Sequence, residues 1–212
     1  MSKVIATEQR TEEWYQARLG KFTCSEVYNL LTEPKLKADK EAGNLSKSAL
    51  SYIYTKIAEQ LTGKRQEVSS KAMEWGTEYE PYARSMYEQV FEPVTEVGFI
   101  YDGRLGGSPD GLVGEKGGIE IKCPYTYDVH LENLLLTKDT FKQARKEYYW
   151  QIMGCMFLTE REWWDFVSFH PDFPEEHCMQ VIRIERNEDD ILLMMDKVEK
   201  ACQLRDAILK SL

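Results

Sequence analysis

The chain has no apolar run long enough to cross a bilayer, so no membrane partner is expected. Its opening, MSKVIATEQRTEEWYQ, carries no apolar core of the kind a secretory signal needs, and the expected location is the cytoplasm. Cysteine is sparse: five residues at 24, 123, 155, 178 and 202, odd in number and widely spaced, with no CxxC. That excludes a disulfide framework and a zinc or iron–sulfur site, and leaves buried free thiols as the expectation. Basic charge is in deficit, with 27 Lys and Arg against 36 Asp and Glu and a net charge of −9. The total does not suggest a polyanionic partner, although a local basic groove or a bound cation can override it. There is no internal repeat, low-complexity tract or long linker, so residues 1–212 are expected to form one domain.

What is present is ordinary globular material, 42% hydrophobic and 30% charged. Periodicity and caps predict helices over 11–18, closed by Gly20, and over 46–62, ended by Gly63. A further helix spans 69–90, with Pro81 as a kink or first-turn residue. Another begins at TCSEVYNLL, where Thr23 and Glu26 have capping-box spacing. The segment TEPKLKADKEAGNLSKSAL reads as a loop, and as a candidate flap. TEVGFIYD, GLVG, GGIEIKC, WWDFVSF and CMQVIRIER read as strands. TFKQARKEYYWQIMGCMFL reads as one long helix, and 188–209 as a final amphipathic helix whose EDD start complements the helix dipole. The order implies an α/β (α+β) single domain, with a central mixed, mainly antiparallel sheet flanked by helices.

Chemistry concentrates in GGSPDGLVGEKGGIEIKCP, residues 106–124. Side chains alternate along a strand, so Ile119 and Ile121 face a core. Glu120 and Lys122 share the opposite surface, with Cβ atoms roughly 6–7 Å apart. The short GEKGG turn would bring Asp110 alongside Glu120. Two carboxylates around a hard divalent ion, with a lysine to orient water or stabilise developing charge, are the parts for phosphodiester hydrolysis. The competing reading is an ordinary ion pair on a solvated strand beside a common turn.

Three other segments bear on that choice. Glu80 shares a helical face with Met73, Gly76, Ala83, Tyr87 and Val90; such a carboxylate needs a partner, either a metal, or a salt bridge to Arg84 or a Tyr hydroxyl. Gln151 shares a face with Ala144, Tyr148 and Cys155, either contacting a ligand or satisfied in the core. Arg18, just before a helix start that holds Ser25, could form a phosphate pocket with free N–H groups, or remain a surface charge beside a cap.

Taken together, RLGKFTCSEV, AMEWGTEYEPYAR, GGSPDGLV, GIEIKCP and YYWQIMGCMFLT resemble, in order and spacing, the phage lambda exonuclease or YqaJ-type viral recombinase family of the PD-(D/E)xK nuclease superfamily. The resemblance covers roughly residues 10–170 and implies a restriction-endonuclease-like core. It implies an Mg²⁺-dependent 5′→3′ exonuclease, with Mn²⁺ as an alternative ion, that degrades one strand of linear double-stranded DNA. It also implies a ring-shaped homotrimer working beside a single-strand annealing protein in phage recombination, in a bacterial host. Matched residue by residue, Asp110, Glu120 and the Ile121 carbonyl would ligate the metal, and Glu80 would be the third acidic group. Lys122 would activate or orient the water, Gln151 would contact the active centre, and Arg18 and Ser25 would hold the 5′-phosphate. Branches of the superfamily that hold an iron–sulfur cluster are excluded by the cysteine spacing. The alternatives are a non-catalytic DNA-binding or assembly module and an endonuclease of the same superfamily.

Overall fold

The structure, a computed structural model, describes residues 2–66 and 69–212. Its strands are β1 (Lys3–Ile5), β2 (Phe22–Thr23), β3 (Val94–Thr95), β4 (Phe99–Tyr101), β5 (Leu105–Gly107), β6 (Gly111–Val113), β7 (Gly117–Lys122), β8 (Trp163–Phe169) and β9 (Met179–Glu185). Its helices are α1 (Glu12–Arg18), α2 (Tyr28–Leu31), α3 (Lys37–Glu41), α4 (Lys47–Thr62), α5 (Lys71–Val90), α6 (Tyr127–Leu134), α7 (Lys138–Ala144), α8 (Lys146–Thr159) and α9 (Glu188–Ser211). The mixed α/β class is as expected, but the strands form two sheets rather than one. The larger runs β3-β6-β7-β8-β9, antiparallel except at β7–β8; the smaller runs β1-β4-β5-β2, with only β2–β5 parallel. Among the described residues no helix is long and apolar enough to cross a membrane.

β7 divides the interior. Ile119 and Ile121 pack with Ala83 and Tyr87 of α5 and with Val167 and Phe169 of β8. The other face of the larger sheet, through Trp164, Phe166, Ile182 and Ile184, joins the main core with α8, α4 and α9. The strand meets β8 so closely that a Cβ on Gly117 or Gly118 would lie 2.1 Å from the Trp163 ring or 2.3 Å from the Trp164 ring. Only glycine fits at these two positions.

Local departures have local causes. The long helix predicted over 140–158 breaks at Arg145, at φ −130° and ψ 59°. There the guanidinium is drawn to Asn133 Oδ1 and Glu132 Oε2, both at 2.8 Å, on α6, a helix the sequence pattern does not announce. The capping box at Thr23 does not form. Its backbone N–H goes to the buried Tyr52 hydroxyl at 2.9 Å, and a short 3₁₀ turn over Cys24–Glu26 precedes α2. The candidate flap contains α3, and Pro81 lies in the interior of α5 rather than in its first turn.

Candidate active site

The β6–β7 hairpin builds the centre. Its register pairs Gly111 with Ile119 and Val113 with Gly117. One step further places Asp110 opposite Glu120, where side chains of an antiparallel pair share a face. Asp110 Oδ2 accepts the backbone N–H of Ile121 at 2.7 Å, which locks the loop end onto the strand. Glu120 is fully buried. Its Oε1 accepts from Lys122 Nζ and, at 2.6 Å, from Gln151 Nε2 on α8. Its Oε2 is buried with no hydrogen-bond partner among the described residues. Lys122 Nζ also lies 5.2 Å over the Tyr148 ring.

The electrostatics are those of an unfinished site. Burial and then the Glu120 charge raise the Asp110 pKa well above the carboxylate range. Burial also raises Glu120, with Lys122 only partly opposing it. For Lys122, burial alone would lower the pKa, but Glu120 and Asp110 outweigh it and the net shift is upward. The ammonium is thus held charged, as a donor rather than a base. Among the described residues no three His, Cys, Asp or Glu side chains converge as a ready-made metal cluster. The Asp110–Glu120 pair nevertheless fits a hard divalent cation. It offers oxygen donors, one of them buried and unpaired, and two carboxylates whose mutual repulsion a cation would relieve.

Glu80 sits beside this pair, near enough to raise both carboxyl pKa values further. Its own oxygens are engaged by arginines: Arg84 Nη2 at 2.8 Å and Arg10. The salt bridge to Arg84, one of the partners the sequence offered, is formed. The predicted apolar face is only partly buried, since Met73 and Val90 are 54% and 66% exposed.

Arg18 and Ser25 also come together. Arg18 donates to Ser25 Oγ at 3.4 Å and to Ser108 Oγ at 3.2 Å, and lies 4.2 Å from the Trp14 ring centroid. Burial lowers its pKa, and none of its hydrogen-bond partners among the described residues is a carboxylate. The pocket around it, about 400 Å³, is lined by residues that include Trp14, Arg18, Ser25, Glu26, Lys56 and Glu59. Lys56 answers those two acids, at 3.4 and 3.0 Å. The helix start expected here is a 3₁₀ turn and a single α turn, so side chains rather than a long helix dipole define the pocket. Ser108 was missed by sequence reasoning. It bridges Arg18 to Trp14 Nε1, at 2.8 Å from the latter, and its signal was its place two residues before Asp110 in SPDG.

The family model of the YqaJ-like viral recombinase domain matches residues 13–162. The chain belongs to that family. The matched span holds Arg18, Ser25, Glu80, Asp110, Glu120, Lys122 and Gln151. Among solved structures, this YqaJ-like chain is similar to an alkaline exonuclease from Laribacter hongkongensis, with 36% identity, 95% of each chain covered and a TM-score of 0.80. The same enzyme in complex with dAMP matches at 37% identity, 95% of each chain and 0.80. A phage-related exonuclease from Haemophilus somnus shares the fold at 21% identity and a TM-score of 0.76, with 90% of this chain and 96% of that one covered. No curated protein sequence matches.

Proposed function

We propose that this YqaJ-like chain is an Mg²⁺-dependent exonuclease that degrades one strand of linear duplex DNA from its 5′ end. The 3′ overhangs it leaves would feed recombination by strand annealing. The observation that carries the reading is Glu120. A fully buried carboxylate with one oxygen unpartnered stands opposite Asp110 and is held by Lys122 and Gln151. The 36% identity to an alkaline exonuclease over nearly the whole chain supports the same conclusion.

Asp110, Glu120 and the Ile121 carbonyl would hold Mg²⁺, with Mn²⁺ as a substitute; Glu80 would complete the acidic set on release from its arginines. The ion supplies Lewis acidity at the scissile phosphate. Asp110 is pre-positioned by the Ile121 N–H, and Gln151 fixes the Glu120 carboxylate. Lys122, kept charged by its neighbours, orients the attacking water and donates to negative charge that develops on the phosphate. Arg18, Ser25 and Ser108 hold the 5′-phosphate, because a half-buried guanidinium with no carboxylate among its described hydrogen-bond partners favours an anion. The related enzyme's complex with dAMP supports mononucleotides as products. The chains would assemble as a ring-shaped homotrimer around DNA and act with a single-strand annealing protein; native mass spectrometry at a trimer mass tests the first point.

The deciding assay uses linear duplex labelled at the 5′ or the 3′ end, beside a covalently closed circle, with Mg²⁺ or with EDTA. Early, Mg²⁺-dependent release of the 5′ label with the circle intact is expected. Cutting of the circle would make the chain an endonuclease, and binding without cutting would make it a non-catalytic module.

A further inference from the structure

A second hollow, of about 490 Å³, opens between α5, α6 and the end of β8. Its walls are aromatic. Trp75 lies 5.7 Å from Tyr125 and 5.3 Å from His170 between ring centroids, and Tyr127 lies 5.0 Å from His170. Tyr125 and Tyr127 are 47% and 61% exposed, whereas His170 is fully buried. The His170 Nδ1 accepts the Asp172 N–H at 3.3 Å, and burial lowers the ring's pKa, so it is neutral at pH 7. Two exposed carboxylates, Asp128 and Asp172, complete the lining. The Tyr127 hydroxyl donates to Asp172 Oδ2 at 3.0 Å and so fixes one acid beside the rings. Among the described lining residues there is neither Lys nor Arg.

Faces of aromatic rings with carboxylates at the rim attract cations. Nucleobase-stacking surfaces also use aromatic rings, but they set them in a positive groove that tracks phosphates; here the charge has the opposite sign. From the hollow, α6 and its C-cap carry Tyr127, Leu131 and Leu135 at i, i+4 and i+8, exposed by 61%, 51% and 75%. This apolar stripe runs on from the cage.

We propose that this hollow receives an arginine or lysine side chain of a partner protein, with apolar residues flanking that cation on the α6 stripe. The site is separate from the Asp110–Glu120 pair and does not depend on the nuclease reading. The aromatic faces and Asp172 hold the cation, Asp128 adds charge, and Leu131 and Leu135 give the flanking residues somewhere to bury.

The test is an NMR titration of the full chain, following the Trp75 indole N–H, assigned with Trp75→Phe. The probes are acetyl-arginine amide, its neutral isostere acetyl-citrulline amide, and the acetylated tripeptide Leu-Arg-Leu. Arginine is expected to shift the indole signal saturably and citrulline is not; the tripeptide should bind more tightly than arginine alone. Asp128→Asn with Asp172→Asn should weaken arginine binding by roughly tenfold or more and leave Mg²⁺-dependent DNA cleavage at the wild-type rate. Equal shifts with citrulline, or no shift with either probe, would overturn the proposal. So would displacement of arginine by a short single-stranded oligonucleotide bound in the same place, which would make the hollow a base-stacking site.

Discussion

Two buried carboxylates on neighbouring parallel strands, one register step apart and on opposite faces of the sheet, are put to opposite use. Asp165 of β8 is 1% exposed, Glu120 of β7 0%. Asp165 is paired in register with Ile119 and faces α5. There Tyr87 donates to it at 2.7 Å, and Arg183 closes a two-pronged bridge at 2.9 and 2.8 Å. Glu120 is paired with Phe166 and faces α8, where two donors share one oxygen and leave the other empty. The first acid is satisfied and holds strands and helix together. The second is held in place with capacity to spare. Burial of an acid therefore marks a functional position only when its hydrogen bonds are incomplete.

This contrast can be broken by substitution. Lys122→Ala and Glu120→Gln should each cut DNA about 10²–10⁴-fold more slowly. Glu120→Gln should unfold in urea at or above the wild-type midpoint, since it removes a buried charge and keeps an amide oxygen for its donors, whereas Lys122→Ala should unfold more readily, because it leaves Glu120 and Asp110 without their cation. Asp165→Ala should do the reverse of Glu120→Gln. It leaves Arg183 and Tyr87 without their acceptor and costs about 3 kcal/mol in urea unfolding, the low end for a broken buried pair because Arg183 is partly exposed. Cleavage per folded molecule should hardly change. Should Glu120→Gln unfold as readily as Asp165→Ala, the distinction between the two acids fails.

Smaller effects sharpen the contrast. Gln151→Ala loses the donor that aims Glu120 and should lower cleavage by about 10–100-fold, with DNA binding retained in a gel-shift assay. Arg18→Ala should reduce the preference for 5′-phosphorylated over 5′-hydroxyl ends by roughly tenfold or more, measured on matched duplexes. The smallest effect is on pH dependence. Without divalent cation, Asp110 and Glu120 take up protons more readily folded than unfolded. Their contribution to stability is greatest below the ordinary carboxylate range and is lost as pH rises through their raised values. The midpoint of thermal unfolding in EDTA should therefore fall over that window, and Glu120→Gln should flatten the slope. An unchanged slope in the variant would place the titration elsewhere.

Much of the centre was legible in the sequence because it is local. Alternation in GGIEIK and a two-stranded turn suffice to place Asp110, Glu120 and Lys122 together, and the structure does so. The break at Arg145 was not legible, because the apolar pattern runs unbroken through it and only Asn133 and Glu132, distant partners, pull the chain aside. The capping box at Thr23 had the right spacing, yet Tyr52 from α4 takes the N–H it needed. The second sheet was hidden for a different reason. β2 and β5 are two and three residues long, too short for any period to show, and their parallel pairing joins segments about eighty residues apart. Glu80 shows the limit of an apolar-stripe argument, because the arginines that claim it come from one turn along its helix and from a loop near the start of the chain.

The glycines at 117 and 118 also bear on how this protein could be re-engineered. With indole rings pressed against both, the strand that delivers Glu120 and Lys122 enters the sheet through a slot that admits no side chain. A library that varied residues 117–122 to alter activity would mostly return misfolded chains. Diversity is better spent on the walls of the Arg18 pocket, whose rings and hydroxyls stand clear of that slot.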